Sequence, residues 1–242
     1  MTAKSPEESI ARRHNHLIER VESACRRVGR DPGEVGLVTV TKGRSAPEVA
    51  SAVRAGLKVF GENRAQEFRE KYSLLQDLDL GIEWHFIGHL QPNKVRLVAG
   101  MVHLIHSVDT EEVTDALNDR SREMEIMTPI LLQVNVSGEE TKAGVAPEMA
   151  ESLLRHVDRS SHLLPKGFMT IAPQTQNPED ARPAFAGLRR LRDDLAKSTG
   201  ISLPELSMGM TDDFEVAIEE GATLIRIGRA LFEGRSAERM VE

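Results

Sequence analysis

The chain has 242 residues, of which 40% are hydrophobic and 29% charged, and its formal net charge is -7 at pH 7. This composition is typical of a soluble globular protein with enough apolar side chains for a sizeable core. The acidic balance argues against nucleic acid or an anionic membrane as a partner, because phosphate-rich surfaces select basic proteins. Cys25 is the only cysteine, which excludes an internal disulfide and favours the cytoplasm. No secretory signal and no membrane-spanning apolar run is evident.

The first predicted element is a long amphipathic helix that ends near Gly29. Ser5 is followed by Pro6, Glu7 and Glu8, which is the usual order of an N-cap, a first-turn proline and acidic residues at a helix N-terminus. Apolar residues then recur at helical spacing, at Ile10, Leu17, Val21, Ala24 and Val28. We therefore predict an extra N-terminal helix in front of the main fold.

Strand-like and helical patterns alternate along the rest of the chain. The strand-like runs lie at 35–41, 57–60, 83–87, 102–106, 129–134, 163–168, 204–207 and 223–227. The helical patterns lie at 46–55, 63–76, 91–99, 110–126, 146–157, 178–198 and 212–220. Eight strands separated by helices indicate an α/β fold of parallel units, and no linker divides the chain. We predict one domain over 1–242, a (β/α)8 barrel, with a doubly wound open sheet as the alternative.

The carboxyl ends of the strands are where a barrel of this kind has its active site. Nearly every predicted strand end carries glycine or a small polar residue, which lets backbone approach a ligand closely and supplies hydrogen-bond donors. Barrels often bind phosphate at the loops after strands 7 and 8. Here those loops hold Ser207, Gly209, Thr211, Gly228 and Arg229. Asp212 and Asp213 follow the first loop, so a phosphate site there requires both carboxylates to point away.

Lys42 is the candidate nucleophile. It closes the apolar run 35–41 and is followed at once by Gly43, which places its amine at the mouth of a core. Taken alone, a lysine at a strand end is more often a solvated terminus. Together with the loops near the other end of the chain, it suggests a Schiff-base lysine facing a phosphate site. That is the chemistry of pyridoxal 5'-phosphate (PLP).

Arg226 interrupts 223–227, a strand that is otherwise apolar. A buried arginine needs a partner, and its guanidinium can only donate hydrogen bonds. A pyridine nitrogen is a suitable acceptor, and such a donor would leave that nitrogen unprotonated and the ring a weak electron sink. An ion pair with Glu62, Asp109 or another carboxylate explains the residue equally well.

Other chemistries lack their sequence patterns. His85 and His89 are four residues apart on a strand and the following turn, so the helical zinc-ligand pattern does not apply, and a metal site is not expected. Dinucleotide, P-loop and serine-nucleophile motifs are absent from the sequence. Cys25 lies far from the strand ends and is therefore a poor candidate nucleophile. Asn63, at the end of the second strand, can be interpreted simply as the N-cap of the helix that carries Phe68.

The same residues stand in blocks that resemble the PLP homeostasis proteins, also called the proline-synthase co-transcribed family. The matching blocks are Val38-Thr-Val-Thr-Lys42, Phe60-Gly-Glu-Asn63, Trp84-His-Phe-Ile-Gly-His-Leu-Gln91 with Asn93-Lys94, Ile105-His-Ser-Val-Asp109, Lys142-Ala-Gly144, Gly167-Phe-Met169, Ser207-Met-Gly-Met-Thr211 and Arg226-Ile-Gly228. They keep their order over nearly the whole chain, which makes a chance match very improbable.

The resemblance implies a TIM-type barrel like the alanine racemase N-terminal domain, with PLP held as an internal aldimine on Lys42. It implies that Arg226 faces the pyridine nitrogen. The other cofactor-binding residues that it implies are Ser207, Thr211, Gly228 and Arg229 at the phosphate, Asn63 and His89 beside the ring, and Met208 and Met210 along the pocket. Arg229 stands where a small hydroxyl residue is common, so its side-chain role stays open, whereas its backbone amide is unaffected.

The function that the resemblance implies is PLP (vitamin B6) and amino-acid homeostasis without robust catalytic activity. We expect a monomer or a weak dimer. A PLP-dependent amino-acid racemase of low activity is one alternative, and a Schiff-base aldolase on a phosphosugar is another. Arg226 argues against the aldolase, because a phosphosugar has no pyridine nitrogen. A racemase needs a base on each face of its substrate, and the only tyrosine, Tyr72, is predicted in a helix away from the strand ends. We therefore do not expect this protein to be an efficient amino-acid racemase.

Overall fold

The structure is a computed structural model that describes residues 5–78, 80–139, 142–173 and 175–233. Within these residues the strands are β1 (Gly36–Val40), β2 (Val59–Glu62), β3 (Glu83–Phe86), β4 (Leu104–Val108), β5 (Thr128–Gln133), β6 (Leu163–Met169), β7 (Glu205–Ser207) and β8 (Leu224–Ile227). They are parallel and close into a barrel in sequence order, with β8 paired to β1. The predicted barrel is confirmed, and the alternative of an open doubly wound sheet is wrong.

The helices follow the strands and cover the outside of the barrel. They are α1 (Pro6–Arg27), α2 (Ala46–Arg54), α3 (Ala65–Leu75), α4 (Glu111–Glu123), α5 (Ala150–Asp158), α6 (Arg182–Thr199), α7 (Phe214–Glu219) and α8 (Arg229–Phe232). In the described ranges, none of them is both long enough and apolar enough to cross a bilayer. The apolar core lies mainly between these helices and the outer faces of the strands.

Helix α1 begins as the sequence predicts. The Ser5 side chain accepts a hydrogen bond from the Glu8 backbone amide, and the Glu8 carboxylate accepts one from the Ser5 amide, which together form a capping box. The buried face of α1 packs against α2, α7 and α8. Helix α1 therefore covers the side of the barrel where the first and last strands meet.

The segment after β3 differs from its predicted α-helix. Residues Pro92–Leu97 form a 3-10 helix, with a hydrogen bond from the Val98 amide to the Val95 carbonyl. Val95 and Val98 are both buried, and three residues is one full turn of a 3-10 helix. The 3-10 helix therefore brings both side chains to the core. The apolar spacing that predicts an α-helix over 91–99 is thus satisfied by this shorter element.

The strand register places the candidate nucleophile over the barrel interior. Val38 pairs with Arg226, and Val40 pairs with Gly61. Side chains alternate along a strand, so Val38, Val40 and, by continuation, Lys42 lie on the face that Arg226 also occupies. The two residues singled out most strongly from the sequence thus belong to the same interior face of neighbouring strands.

Candidate functional site

Lys42 follows β1 at the carboxyl-terminal rim of the barrel, and its side chain is exposed. The backbone on each side of it is fixed by side chains of α3. The Lys71 Nζ donates to the Thr41 carbonyl at 2.7 Å, and the Gly43 amide donates to the Glu67 Oε2 at 3.2 Å. The amine can therefore move at the end of its own side chain while the peptide that carries it is held in place.

A buried ion pair lies directly beneath this segment. Glu62 is completely buried, Lys71 is 6% exposed, and their side chains are in contact. Glu62 Oε2 also accepts a hydrogen bond from the Thr41 hydroxyl at 2.9 Å, and Oε1 accepts one from the Asn63 amide at 2.7 Å. One carboxylate thus ties the end of β1 to the end of β2, and so fixes the backbone at Lys42 and at Asn63 together.

Arg226 lies inside the barrel with neutral hydrogen-bond partners. Its Nη1 donates to the Ser207 hydroxyl at 2.7 Å, and its Nη2 donates to the Thr170 carbonyl at 2.9 Å. Burial lowers the pKa of Arg226 to about 10, so the guanidinium stays charged at neutral pH. Among the described residues, Nε donates to no protein atom. This nitrogen is the donor available to a ligand.

The ion-pair interpretation of Arg226 is wrong for the two carboxylates named from the sequence. Glu62 is paired with Lys71, and Asp109 lies beside His89, with 3.7 Å between Asp109 Oδ2 and His89 Nδ1. In the described part of the chain, no carboxylate lies within salt-bridge distance of Arg226. Its charge is therefore buried without a direct counterion.

A row of hydrogen bonds continues from Arg226 across the barrel interior. Ser207 Oγ lies 2.8 Å from His106 Nδ1, His106 Nε2 lies 2.9 Å from His85 Nδ1, and His85 Nε2 lies 3.2 Å from Glu83 Oε1. Burial lowers the pKa of both histidines, and for His106 the Arg226 charge adds to the effect. Both imidazoles are therefore neutral at pH 7. We call these five residues the Arg226–Glu83 network.

The loop after β7 is shaped by its contact with α7. Gly209 has a φ of 90°, and a Cβ added there would lie 2.5 Å from the Cβ of Ala217. Thr211 in the same loop is buried. At the end of β8, a Cβ on Gly228 would lie 3.2 Å from the Cβ of Val40. Gly209 is thus required by its positive φ and its contact with α7, and Gly228 keeps its loop close to the end of β1.

The acidic residues beside these loops are both engaged. Asp212 pairs with the exposed Arg229 side chain. Asp213 Oδ1 accepts a hydrogen bond from the Met210 amide at 2.6 Å, and burial raises the pKa of Asp213. Asp212 is therefore paired with a cation of the next loop, whereas Asp213 takes a backbone donor of its own loop. That both carboxylates point away from a phosphate stays a prediction. The Met210 amide is not free for an anion.

Two polar oxygens at the rim have no protein partner. Arg64, not Asn63, is the N-cap of α3, so the interpretation of Asn63 as a helix cap is wrong. Asn63 Oδ1 and Asp109 Oδ1 are buried and accept no hydrogen bond from the described residues. Burial raises the pKa of Asp109, and the nearby His89 side chain is exposed. Buried oxygens without partners are costly, which makes this rim a place where a ligand donor would be favoured.

Two of the predicted binding residues, Ser207 and Met208, are buried away from any open surface. Ser207 is completely buried and contacts Arg226, and Met208 is completely buried in the main apolar core. Met210, by contrast, is exposed by 38%. The Met208 side chain is thus not open to a ligand, because adjacent residues of a strand face opposite sides and Met208 turns outward to the helices. The Ser207 hydroxyl accepts a hydrogen bond from Arg226.

Sequence reasoning missed Lys71, His85 and His106. His85 and His106 interrupt apolar strands, as Arg226 does, and that signal was available. Lys71 lies on α3 in a pattern that reads as a solvated helix face, and nothing in the sequence distinguishes it from an exposed lysine. Lys71 is buried because it pairs with Glu62 of β2, and that pairing arises only when α3 packs on the barrel.

Comparison with known proteins identifies the family. The sequence profile of the alanine racemase N-terminal domain matches residues 15–236. A pyridoxal phosphate homeostasis protein of Aquifex aeolicus is 47% identical over 92% of this chain and 97% of that protein, and one of Pseudomonas aeruginosa is 42% identical over 94% and 96%. The solved structure of PipY from Synechococcus elongatus, with PLP bound, aligns with a TM-score of 0.81 at 32% identity, over 92% of this chain and 99% of that chain. The chain therefore belongs to the alanine racemase N-terminal domain family and, within it, to the pyridoxal phosphate homeostasis proteins.

Proposed function

We propose that this protein binds PLP through a Schiff base on Lys42 and takes part in PLP and amino-acid homeostasis. The observation that carries the proposal is Arg226, a buried guanidinium with a free Nε on the same interior face as Lys42. A cation buried without a counterion is costly, and a ligand with a ring acceptor and an anionic group would offset that cost. The names of the relatives and the PLP bound to PipY support the same ligand.

The residues at the rim suit PLP in three respects. The Arg226 Nε would donate to the ring nitrogen, and the oxygens of Asn63 and Asp109, which lack protein partners, would face the polar substituents of the ring, with His89 beside them. The phosphate would lie on backbone amides of the loop that contains Gly209 and Thr211 and on the segment from Gly228 to Arg229. When bound, PLP supplies an aldehyde carbon that an amine can attack, with water leaving as the C=N bond forms.

The proposal also covers the domain organisation, compartment and partners of the protein. We propose a single domain in the cytoplasm, monomeric or weakly dimeric and with no nucleic-acid or membrane partner. The net charge of -7 argues against phosphate-rich partners, and Cys25, which is buried and free, suits a reducing compartment. Storage or delivery of the cofactor fits better than rapid turnover. An arginine at the ring nitrogen makes a weaker electron sink than a carboxylate would, so carbanion chemistry on the ring would be slow.

The decisive experiment is reduction of the PLP-loaded protein with borohydride, followed by peptide mapping. We expect a visible absorption band that is lost on reduction, and one phosphopyridoxyl group on Lys42. Lys42→Ala should lose that adduct, whereas Lys58→Ala, at an exposed lysine before β2, should keep it. An adduct on another lysine of the wild-type protein, with Lys42 unmodified, would overturn the assignment.

A second arm tests the phosphate loops. Because backbone donors and hydroxyls bind anions well, we expect pyridoxal, which lacks the phosphate, to bind much more weakly than PLP. Thr211→Ala should weaken the binding of PLP but not that of pyridoxal. Equal affinity of the wild-type protein for the two compounds would mean that the loops do not hold the phosphate.

A further inference from the structure

The Arg226–Glu83 network runs from the cofactor site to the opposite end of the barrel. Its first member, Arg226, lies at the carboxyl-terminal half of β8. Its last member, Glu83, opens β3 at the amino-terminal end, where its side chain is 47% exposed. Between them Ser207, His106 and His85 are buried. A continuous row of hydrogen bonds therefore joins the ligand-facing guanidinium to a carboxylate at the far solvent surface.

The two ends of the network fix the direction of every hydrogen bond in it. The guanidinium of Arg226 can only donate, so Ser207 Oγ accepts from it. The ionised carboxylate of Glu83 can only accept, so His85 Nε2 carries a proton and donates to it. A neutral imidazole has one N–H, which leaves His85 Nδ1 as an acceptor. His106 Nε2 must then carry the proton that His85 Nδ1 accepts.

The central bond follows from this assignment. With its proton on Nε2, His106 has a bare Nδ1, which accepts the hydroxyl proton of Ser207. The reverse arrangement would turn the bare Nε2 of His85 toward the Glu83 carboxylate, so that two acceptors would face each other. Both histidines are therefore Nε2–H tautomers, and the lone pairs of Ser207 are left toward Arg226.

We propose that His106, His85 and Glu83 are positioning residues, which hold Ser207 in the one hydroxyl orientation that keeps Arg226 directed at the cofactor ring. This inference rests on the proposed function, because the acceptor of the free Nε belongs to PLP. With Nη1 on Ser207 and Nη2 on Thr170, the guanidinium is held at two of its three nitrogens. The third nitrogen, Nε, is thereby directed at the ligand by neutral partners. A carboxylate in their place would draw the charge of Arg226 away from the ligand.

The test has a part that does not depend on PLP. Nitrogen-15 NMR of the imidazole groups in the ligand-free protein at about pH 7.5 should find both His85 and His106 as Nε2–H tautomers. Glu83→Gln removes the carboxylate that sets the direction, at a partly exposed position, so we expect a mixture of tautomers at His85. Glu123→Gln, at an exposed glutamate of α4, is the matched control and should change neither spectrum.

The second part measures the ligand. His106→Phe removes the acceptor for the Ser207 proton, and we expect the dissociation constant of PLP to rise about tenfold, the effect of losing roughly one charge-assisted hydrogen bond. Glu83→Gln should shift the visible band of bound PLP and weaken binding by a smaller factor, although it lies at the far end of the barrel. Glu123→Gln should change neither property.

The outcomes separate the two proposals. An Nδ1–H tautomer of His106 in the wild-type protein, or an unchanged band and affinity in both network variants, would overturn the positioning role while leaving PLP binding intact. A wild-type protein that shows the predicted tautomers but does not retain PLP would instead refute the proposed function, and with it the role of the network toward a cofactor.

Discussion

Arg226 illustrates how a single residue sets the character of the site. It is buried with only a hydroxyl and a carbonyl as partners, and the charge of Asp213 acts on it without direct contact. Removing a charge from water is expensive unless it is well paired. Any ligand that brings an acceptor and negative charge to Arg226 therefore stabilises the folded protein as well as binding to it.

The buried histidines predict a loss of stability in mild acid. The pKa values of His85 and His106 lie below the ordinary 6.5 in the folded protein, so below about pH 6.5 the unfolded chain binds more protons than the folded one. The free energy of unfolding should fall by up to about 1.4 kcal/mol per pH unit for each histidine, and the two contribute no slope above about pH 7.5. Urea unfolding at pH 7.5 and pH 5.5 measures the difference.

The variant His106→Phe isolates one of these contributions. It should be less stable at pH 7.5 but lose less of its remaining stability between pH 7.5 and pH 5.5. Asp109 and Asp213 have raised pKa values and change the stability in the opposite direction, so they do not mimic the effect. Equal acid sensitivity of the variant and the wild-type protein would mean that His106 already accepts a proton in the folded state.

Among the secondary structure elements, the strands were predictable from sequence and the connections less so. Apolar runs of four to seven residues between turn signals located all eight strands, because each is buried on both faces in a barrel. The 3-10 helix at Pro92–Leu97 was not predicted, since apolar residues at spacings of three and four fit both helix types. The four-residue α8 was missed because it is too short to produce a periodic pattern.

The candidate site residues also differ in how well the sequence predicts them. Lys42 and Arg226 could be found because each breaks a local rule, a lysine closing an apolar strand and an arginine inside one. The placement of Ser207 and Met208 was harder to predict, because a shift of one residue in the strand register decides which of them faces the interior. The partners of Glu62 were beyond reach, because Lys71 becomes buried only when α3 docks on the barrel.

The contact between α3 and the rim makes the Glu62–Lys71 pair a stability determinant. Lys71→Met should leave the Glu62 carboxylate buried without its cation and lower the free energy of unfolding by about 3 to 5 kcal/mol. The double variant Glu62→Gln with Lys71→Met should recover part of the loss, because no unpaired charge remains. Denaturant unfolding of the single and double variants measures the coupling between the two residues.

An exposed ion pair provides the control. Arg122 and Asp119 lie one turn apart on α4, and both side chains are more than 60% exposed. Arg122→Gln should change the free energy of unfolding by less than about 1 kcal/mol. If Lys71→Met had an effect as small as this, the pair would not fix the backbone beside Lys42.

At the scale of the whole molecule, the barrel carries Lys42 at its rim and the Arg226–Glu83 network below it. The tyrosine Tyr72 lies on α3 in the outer layer, where its ring packs on Phe68 with 5.6 Å between the ring centroids. It is therefore placed among the helices rather than over the strand ends. In the described part of the chain, no tyrosine faces Lys42 across the rim.

This arrangement predicts poor racemisation of amino acids. A racemase removes the α-proton on one face and returns it on the other, and the proposed site offers Lys42 for one face but, among the described residues, no tyrosine for the other. With PLP-loaded protein and L-alanine, we expect formation of D-alanine and exchange of the α-proton to be slower than about 1 s⁻¹, the low end of ordinary enzyme rates. Faster turnover would favour a racemase over a homeostasis protein.

The packing of α1 on the last elements of the fold has a kinetic consequence. The Arg13 side chain bonds to the Leu231 carbonyl 218 positions later, and Arg20 pairs with Glu215 across 195 positions. Contacts of such long range form slowly and require nearly the whole chain. During synthesis on the ribosome, Lys42 emerges early but has no opposite wall until β8 has been made. We therefore expect the proposed site to bind PLP only after the whole barrel has been synthesised and has closed.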